Sequence, residues 1–313
     1  MELNDVLNII LIFCVSGIFF VLPSTIYSVM FWGIFYRRRP LMLDSDDLKR
    51  SSYYPYRDEL RRIITEAKKY EYSPVTIRSN DGLKLAAKYY AKDSDTTLVL
   101  MHGFQSNAYN NFSSLLTYFL SCGYNVLAVD QRAHGESEGH FTTTGCKEQY
   151  DLINWISWLE ENTECESIFI YGISMGATTI GLASDKITSP KVKGLIMEAG
   201  FTSFYEELYH SAKRVFMKQA AMNYIVLCAK HLLKADIKQK AADSLSQTAI
   251  PVLFFHGSDD NEVPMSHTEE NYNACASEKS LSVIEGAGHT LCHLVGRERV
   301  EKDLGEFITK YQS

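Results

Sequence analysis

Six short apolar runs, spaced along the chain by segments long enough for helices, are the feature that most constrains the fold. They are Thr97–Met101, Asn125–Val129, Ser167–Tyr171, Lys193–Met197, Pro251–Phe255 and Ser280–Ile284. None has the polar alternation of a strand with one wet face, so each is expected to be covered on both faces, as in a parallel sheet. Tyr109–Ser121 and Gly145–Glu161 supply intervening helices. Upstream, Val75–Ile77 and Leu83–Ala87 flank the turn sequence Asn80-Asp81-Gly82, a hairpin signal. A leading hairpin followed by repeated strand–helix units predicts an α/β fold with a mixed, mostly parallel central sheet flanked by helices. One connection is too long for its place. About fifty residues separate Met197 from Pro251, rich in aromatics and helical in pattern, and they read as a cap inserted over the strand ends at about residues 201–249.

The N-terminus has a different character. From Val6 through Tyr36 there is no charged residue, a run longer than the roughly 20 apolar residues that a helix needs to cross a bilayer. Trp32 and Tyr36 lie near its end, where aromatic rings suit the headgroup zone. The start carries Glu2 and Asp5 rather than basic residues and no small-residue cleavage site follows, which argues against a secretory signal peptide. The expectation is a single-pass transmembrane anchor over residues 1–36, a polar segment over 37–73 with a helix from Pro55 to Tyr70, and a catalytic domain over 74–313. Arg37, Arg38 and Arg39 follow the apolar run, so the positive-inside rule puts that domain on the cytoplasmic side. Seven dispersed cysteines with no metal-site spacing agree, reading as free thiols in a reducing compartment. A net charge of −7 gives no basic face for nucleic acid.

The strongest local motif is Gly172-Ile173-Ser174-Met175-Gly176, placed between the apolar run Ile168-Phe169-Ile170 and a helix-like segment. In such a turn the flanking glycines remove side chains that would clash, and the serine hydroxyl is exposed. The Met175 N–H then sits at a helix N-terminus, where it meets developing negative charge. A serine hydroxyl needs a base. His289, in Gly286-Ala287-Gly288-His289 after the last strand, is the candidate, with His293 one turn later as competitor. The acid that orients the imidazole is expected in the loop His256–Pro264, where Asp259 and Asp260 are adjacent and chemistry alone does not choose between them. A second oxyanion donor is expected after the strand Leu98–Met101, where Gly103 permits a tight turn that leaves the Phe104 N–H pointing inward, and His102 reads as structural.

Taken in order, His102-Gly103-Phe104, Asp130–Ser137, Gly172–Gly176, His256–Pro264 and Gly286–His289 resemble the motif set of the α/β-hydrolase superfamily, nearest its esterase, lysophospholipase and serine-aminopeptidase-like members, over roughly residues 74–311. The resemblance implies the α/β-hydrolase fold with Ser174, Asp260 and His289 as catalytic residues, the acid being Asp260 rather than Asp259. It also implies Phe104 and Met175 as oxyanion donors, and a structural role for the Asp130–Ser137 turn. The reaction expected is acyl-ester cleavage through an acyl-enzyme, with no metal or organic cofactor. The partners expected are a small acyl ester, lipid-like in view of the anchor, and a membrane. A peptidase or thioesterase using the same residues is the alternative within enzymes, and a non-catalytic binding protein the alternative outside them. Phe201, Phe204, Tyr205, Leu208, Tyr209, Val215, Phe216 and Met217 of the insert are candidates for an acyl pocket.

Overall fold

The apolar runs become the strands of one eight-stranded sheet in the computed structural model, which describes residues 21–37, 53–212, 215 and 217–312 with the isolated positions 5, 6, 8 and 17. The strands are β1 (Ser73–Arg78), β2 (Lys84–Tyr90), β3 (Thr96–Met101), β4 (Asn125–Asp130), β5 (Ser167–Ile173), β6 (Val192–Glu198), β7 (Val252–Gly257) and β8 (Lys279–Ile284), in the order β1-β2-β4-β3-β5-β6-β7-β8. The β1–β2 hairpin and the β2–β4 pair are antiparallel, and every other pair is parallel. Central β3, β4, β5 and β7 are buried along their whole length, as doubly covered strands must be, whereas the edge strands β1 and β8 alternate.

The helices are α1 (Leu22–Phe35), α2 (Arg57–Ala67), α3 (Ala108–Ser121), α4 (Glu148–Asn162), α5 (Met175–Ala183), α6 (Phe204–Ser211), α7 (Lys218–Cys228), α8 (Met265–Ala274) and α9 (Arg297–Tyr311), besides shorter turns. Successive strand residues point to opposite faces, so Leu98 and Leu100 pack with Phe112 and Phe119 of α3 and Leu304 of α9, while Val99 and Met101 pack with Trp155 of α4 and Ile180 of α5. Two helices start at side-chain caps that the sequence supplies: Asn107 accepts from the Asn110 N–H, and Ser203 from the Glu206 N–H. The expected mostly parallel sheet and helical cap are both present. The cap is α6, α7 and a π-turn over Ala229–Leu233.

The N-terminal run differs from expectation in one respect. Positions 7, 9–16 and 18–20 of it lie outside the described residues, as do Arg38 and Arg39. The described part is α1, whose 14 residues rise about 21 Å. Among the described residues, no helix is long and apolar enough to cross a membrane. Pro23 sits in the first turn of α1, where its missing N–H costs nothing. Phe31 and Phe35 are buried in a third core cluster with Phe201 and Phe204, Ile225 of α7 and Leu233. Phe35 meets Phe204 edge-on at 5.6 Å, Tyr27 meets Tyr224 at 5.9 Å, and the Ser28 and Tyr224 hydroxyls are 2.6 Å apart. Arg37, expected as a topogenic charge, donates to the carbonyls of Ser137 and Gly135. The division expected at residue 36 therefore passes through packed contacts, with residues 22–37 seated on the cap and the body.

Candidate active site

The turn after β5 forms because glycine stands where nothing larger fits. A Cβ on Gly172 would lie 2.4 Å from the Gly176 carbonyl carbon, and one on Gly176 would lie 1.9 Å from the Met101 carbonyl oxygen. Between them Ser174 adopts φ +54°, ψ −115°, a strained backbone for a residue with a side chain. Its own N–H is held by the Glu198 carbonyl at 2.8 Å. The result lifts the hydroxyl out of the strand end at the mouth of α5.

Three residues from three loops meet there. Ser174 Oγ lies 3.0 Å from His289 Nε2, and His289 Nδ1 lies 2.7 Å from Asp260 Oδ2. The other oxygen of Asp260 accepts the N–H groups of Glu262 and Val263, each at 2.9 Å, so the carboxylate is fixed from both sides. Burial pushes the Asp260 carboxyl up, but the bond from His289 and these backbone donors outweigh it and hold it below the usual range. Burial likewise pushes the His289 imidazole down, and the bonded Asp260 carboxylate more than reverses this, so the ring titrates above an ordinary histidine. Asp259 instead accepts from its neighbour Ser258, and His293 faces Glu301 at 3.1 Å. Of the adjacent aspartates, then, Asp260 is the one brought to His289.

Phe104 belongs to the loop after β3. The Gly103 N–H donates to Asn111 and the Gln105 N–H to His134 Nε2, which clamps the peptides on either side of Phe104. A Cβ on Gly103 would come within 3.4 Å of the Ser174 Cβ, so this loop lies against the serine. Met175 opens α5, and its N–H is one of the four that a helix start leaves without an intrahelical partner. His102 is fully buried and bonded to the Gly103 carbonyl and the Gln131 N–H. In the turn after β4, Asp130 takes the Glu136 N–H and Arg132 is locked between Asp151 and Asp81. Both patterns are those of structural residues. Among the described residues, no group of His, Cys, Asp and Glu is arranged to hold a metal ion.

A cavity of about 760 Å³ opens over Ser174 and His289. Phe104, Phe201, Phe204, Leu208 and Val263 make an apolar wall, facing Gln105, Ser106, Asn110 and Asn111. Of the insert residues expected in the pocket, Phe201, Phe204 and Leu208 line it. Tyr209 and Met217 are exposed, Tyr205 stacks on Tyr209, and Phe216 lies outside the described residues. His210, near the end of α6, also reaches the lining.

Three neighbours were not legible in the sequence. Ile34 of α1 lines the cavity, so the N-terminal helix contributes a wall. Tyr53 also lines it and pairs its hydroxyl with Thr290 beside His289. Glu198, the last residue of β6, is 1% exposed, takes the Tyr171 hydroxyl at 2.7 Å on one oxygen and the Cys292 N–H at 3.2 Å on the other. Burial holds its carboxyl above the usual range despite these donors. A carboxylate closing the apolar run Leu195-Ile196-Met197 was the signal available for it.

Residues 48–242 match the family described as X-Pro dipeptidyl-peptidase (S15 family). The uncharacterized protein YqkD of Bacillus subtilis (strain 168) is 29% identical over 273 residues, covering 85% of this chain and 87% of that protein. The lysophosphatidylserine lipase ABHD12 of Danio rerio is 26% identical over 205 residues, 63% of this chain, and the match spans only 52% of the lipase. Among solved structures, the Pyrococcus furiosus esterase Pf2001 superposes with a TM-score of 0.65 at 24% identity, over 80% of this chain and 95% of the esterase. The Exiguobacterium antarcticum esterase EaEST gives 0.59 at 20% identity, over 76% and 100%. The last two speak to the fold alone. A sheet of this order, a glycine-flanked serine at its central strand end and the family match over more than half of the chain lead to one conclusion: the chain belongs to the α/β-hydrolase superfamily, in the family described as X-Pro dipeptidyl-peptidase (S15 family), and is a hydrolase.

Proposed function

We propose that this hydrolase cleaves carboxylic esters through an acyl-enzyme, with Ser174 as nucleophile, His289 as base and Asp260 as the acid that orients it. The observation that carries the reading is the unbroken chain from Ser174 Oγ to His289 at 3.0 Å and on to Asp260 at 2.7 Å. His289 Nε2 takes the hydroxyl proton as Ser174 Oγ bonds to the acyl carbon. The Phe104 and Met175 N–H groups receive the oxyanion. When the C–O bond to the alcohol breaks, His289 returns that proton to the leaving oxygen. A water then repeats the sequence: His289 takes its proton, its oxygen bonds to the acyl carbon, and the carboxylic acid departs as Ser174 is reprotonated. Asp260 keeps Nδ1 protonated and balances the imidazolium charge.

The apolar wall of the cavity supports an acyl chain of moderate length, and the relative named as a lipase favours an ester over an amide. The family description favours the second reading, a peptidase on the same residues, and a thioesterase would use them equally. A fluorophosphonate probe is expected to label the wild type and spare Ser174→Ala, and equal labelling of both would refute the nucleophile. A panel of matched esters, thioesters and amides then ranks the substrates, and faster amide than ester turnover would replace the reading with a peptidase.

The uncharged run from Val6, followed by Arg37, Arg38 and Arg39, supports attachment to a membrane with the catalytic domain on the cytoplasmic side. Protease added to intact cells is expected to spare the domain and added to permeabilised cells to digest it. Digestion in intact cells would reverse the orientation.

A further inference from the structure

Exposed apolar surface is not spread evenly over this molecule. Among the described residues, every exposed large apolar side chain except Tyr72, Tyr150 and Val283 belongs either to α1 and the residue flanking each end or to the cap. On α1 the outward residues Leu22, Ile26, Val29 and Trp32 recur every three or four positions, the spacing of one helix face, and Val29 is 67% exposed. The opposite face, Tyr27, Phe31 and Phe35, is the one spent on the cap. Leu227 of α7 is 56% exposed and lies one turn beyond Tyr224, whose hydroxyl meets Ser28 of α1, so it adjoins this stripe.

Charge follows the same geography. In a chain of net charge −7, no acidic residue occurs between Glu207 and Asp236, whereas five lysines and arginines do. Lys230 and Lys234, three and seven positions after Leu227, are exposed. No charge of either sign interrupts the chain from Val6 to Tyr36, and Arg37 follows. An apolar face with a cationic border is what an anionic bilayer surface holds: the apolar side chains enter the acyl boundary, and each lysine near the headgroups adds to the attraction. A protein partner would not call for the uncharged run that leads directly into this face.

We propose that the outer face of α1 and the adjoining part of α7 lie in the plane of an anionic lipid surface, so that the cap rests on the membrane and does not merely hang from an anchor. The proposal rests on the reading of membrane attachment above and adds a docked orientation to it. Ile34, on α1, lines the cavity, so the docked face and the cavity share an element.

The test uses the full chain reconstituted with vesicles of phosphatidylcholine and phosphatidylglycerol that carry lipids brominated high on the acyl chain. Trp155 is wholly buried and Trp158 packs with the sheet-covering core, so bromine quenching reports Trp32. A second chain carries Trp32→Phe and Leu227→Trp, so that its quenching reports position 227 alone. Quenching is expected at Trp32 and at the tryptophan introduced by Leu227→Trp. The latter is expected to weaken when Lys230→Gln and Lys234→Gln are added, or when phosphatidylglycerol is omitted. Turnover of a soluble short-chain ester should be unchanged in all of these variants, which reports that the fold is intact. Quenching of Trp32 without quenching at position 227 would overturn the proposal, since the cap would then stand off the bilayer. Vesicle-bound chain with no quenching at either position would overturn it equally, while leaving attachment intact. A chain that does not float with vesicles at all would overturn both readings.

Discussion

Replacing Glu198 separates what its charge does from what its shape does. Its two oxygens receive the Tyr171 hydroxyl and the Cys292 N–H, and Cys292 is three residues beyond His289. In Glu198→Gln the amide oxygen can still accept from Cys292, and its NH₂ can face Tyr171, because a phenol accepts as well as donates. The bonds survive and the charge is lost. In Glu198→Ala two buried donors are left unmet, at about 1–3 kcal/mol each. Relief from burying a carboxylate offsets part of that. The alanine variant should thus lose about 2–4 kcal/mol, which for a domain of this size lowers Tm by roughly 10 °C. The freed histidine loop should also slow turnover by about 10² if His289 moves by an ångström. The glutamine variant should keep its Tm. The carboxylate of Glu198 adds to the field that raises His289, so the acid limb of its kcat/KM profile should move to lower pH. Thermal melts and pH–rate profiles of the two variants, on one chromogenic ester, make the comparison. If the alanine variant melts with the glutamine variant and both keep the wild-type profile and turnover, Glu198 does not hold the loop and the reasoning fails.

Asp260→Asn should lower turnover by about 10⁴, because the imidazole loses tautomer control, whereas Asp259→Asn should be mild; steady-state kinetics of both decide whether Asp260 has the role proposed. In the wild type the acid limb of kcat/KM should lie above the ordinary imidazole value of about 6.5, since His289 is raised, and activity should grow as pH rises through that limb. Asp260 is held low, so its contribution to stability should be complete above the ordinary carboxylate range and fade as pH falls through its depressed value, visible as a Tm that drops only in acid. Phe35→Ala should cost about 3–5 kcal/mol and raise KM more than it lowers kcat, because Phe35 is fully buried against Phe204 of the cavity wall. Deleting residues 1–36 should be worse still, whereas a freely hanging anchor would be removable without loss.

What could be read from the chain in advance was what is local. Strands buried on both faces announce themselves as unbroken apolar runs, and β3 to β7 fell within a residue or two of their expected bounds; β8 did so too, but it is an edge strand with an alternating pattern and not the doubly covered strand expected. The turn at Ser174 was legible because two glycines mark it, and steric contacts of 1.9 and 2.4 Å explain why nothing else serves there. The choice between Asp259 and Asp260 was not legible from chemistry, since adjacent carboxylates differ only in which way the loop turns them. Glu198, Tyr53 and Ile34 escaped for a related reason. Each owes its place to a partner far along the chain, Cys292, Thr290 or the cavity itself, and no periodicity records such a pairing. The apolar N-terminal run was legible as apolar. That Phe31 and Phe35 spend themselves on the cap depends on residues Phe204 and Ile225, which the run itself does not reveal.

That last contact has a consequence for how the molecule is made. The Ser28 and Tyr224 hydroxyls meet across 196 positions of sequence. Synthesis proceeds at about 5–20 residues per second, so α1 leaves the ribosome roughly 10–40 s before its partners in α7 exist. Through that interval Phe31 and Phe35 lack their neighbour Ile225 of the cap, while strands β1 to β6, all earlier in the chain than α7, can already form. α1, though made early, is therefore fully covered only once α7 has followed it. During biosynthesis the cap has to recruit those two rings from whatever apolar surroundings have sheltered them in the meantime.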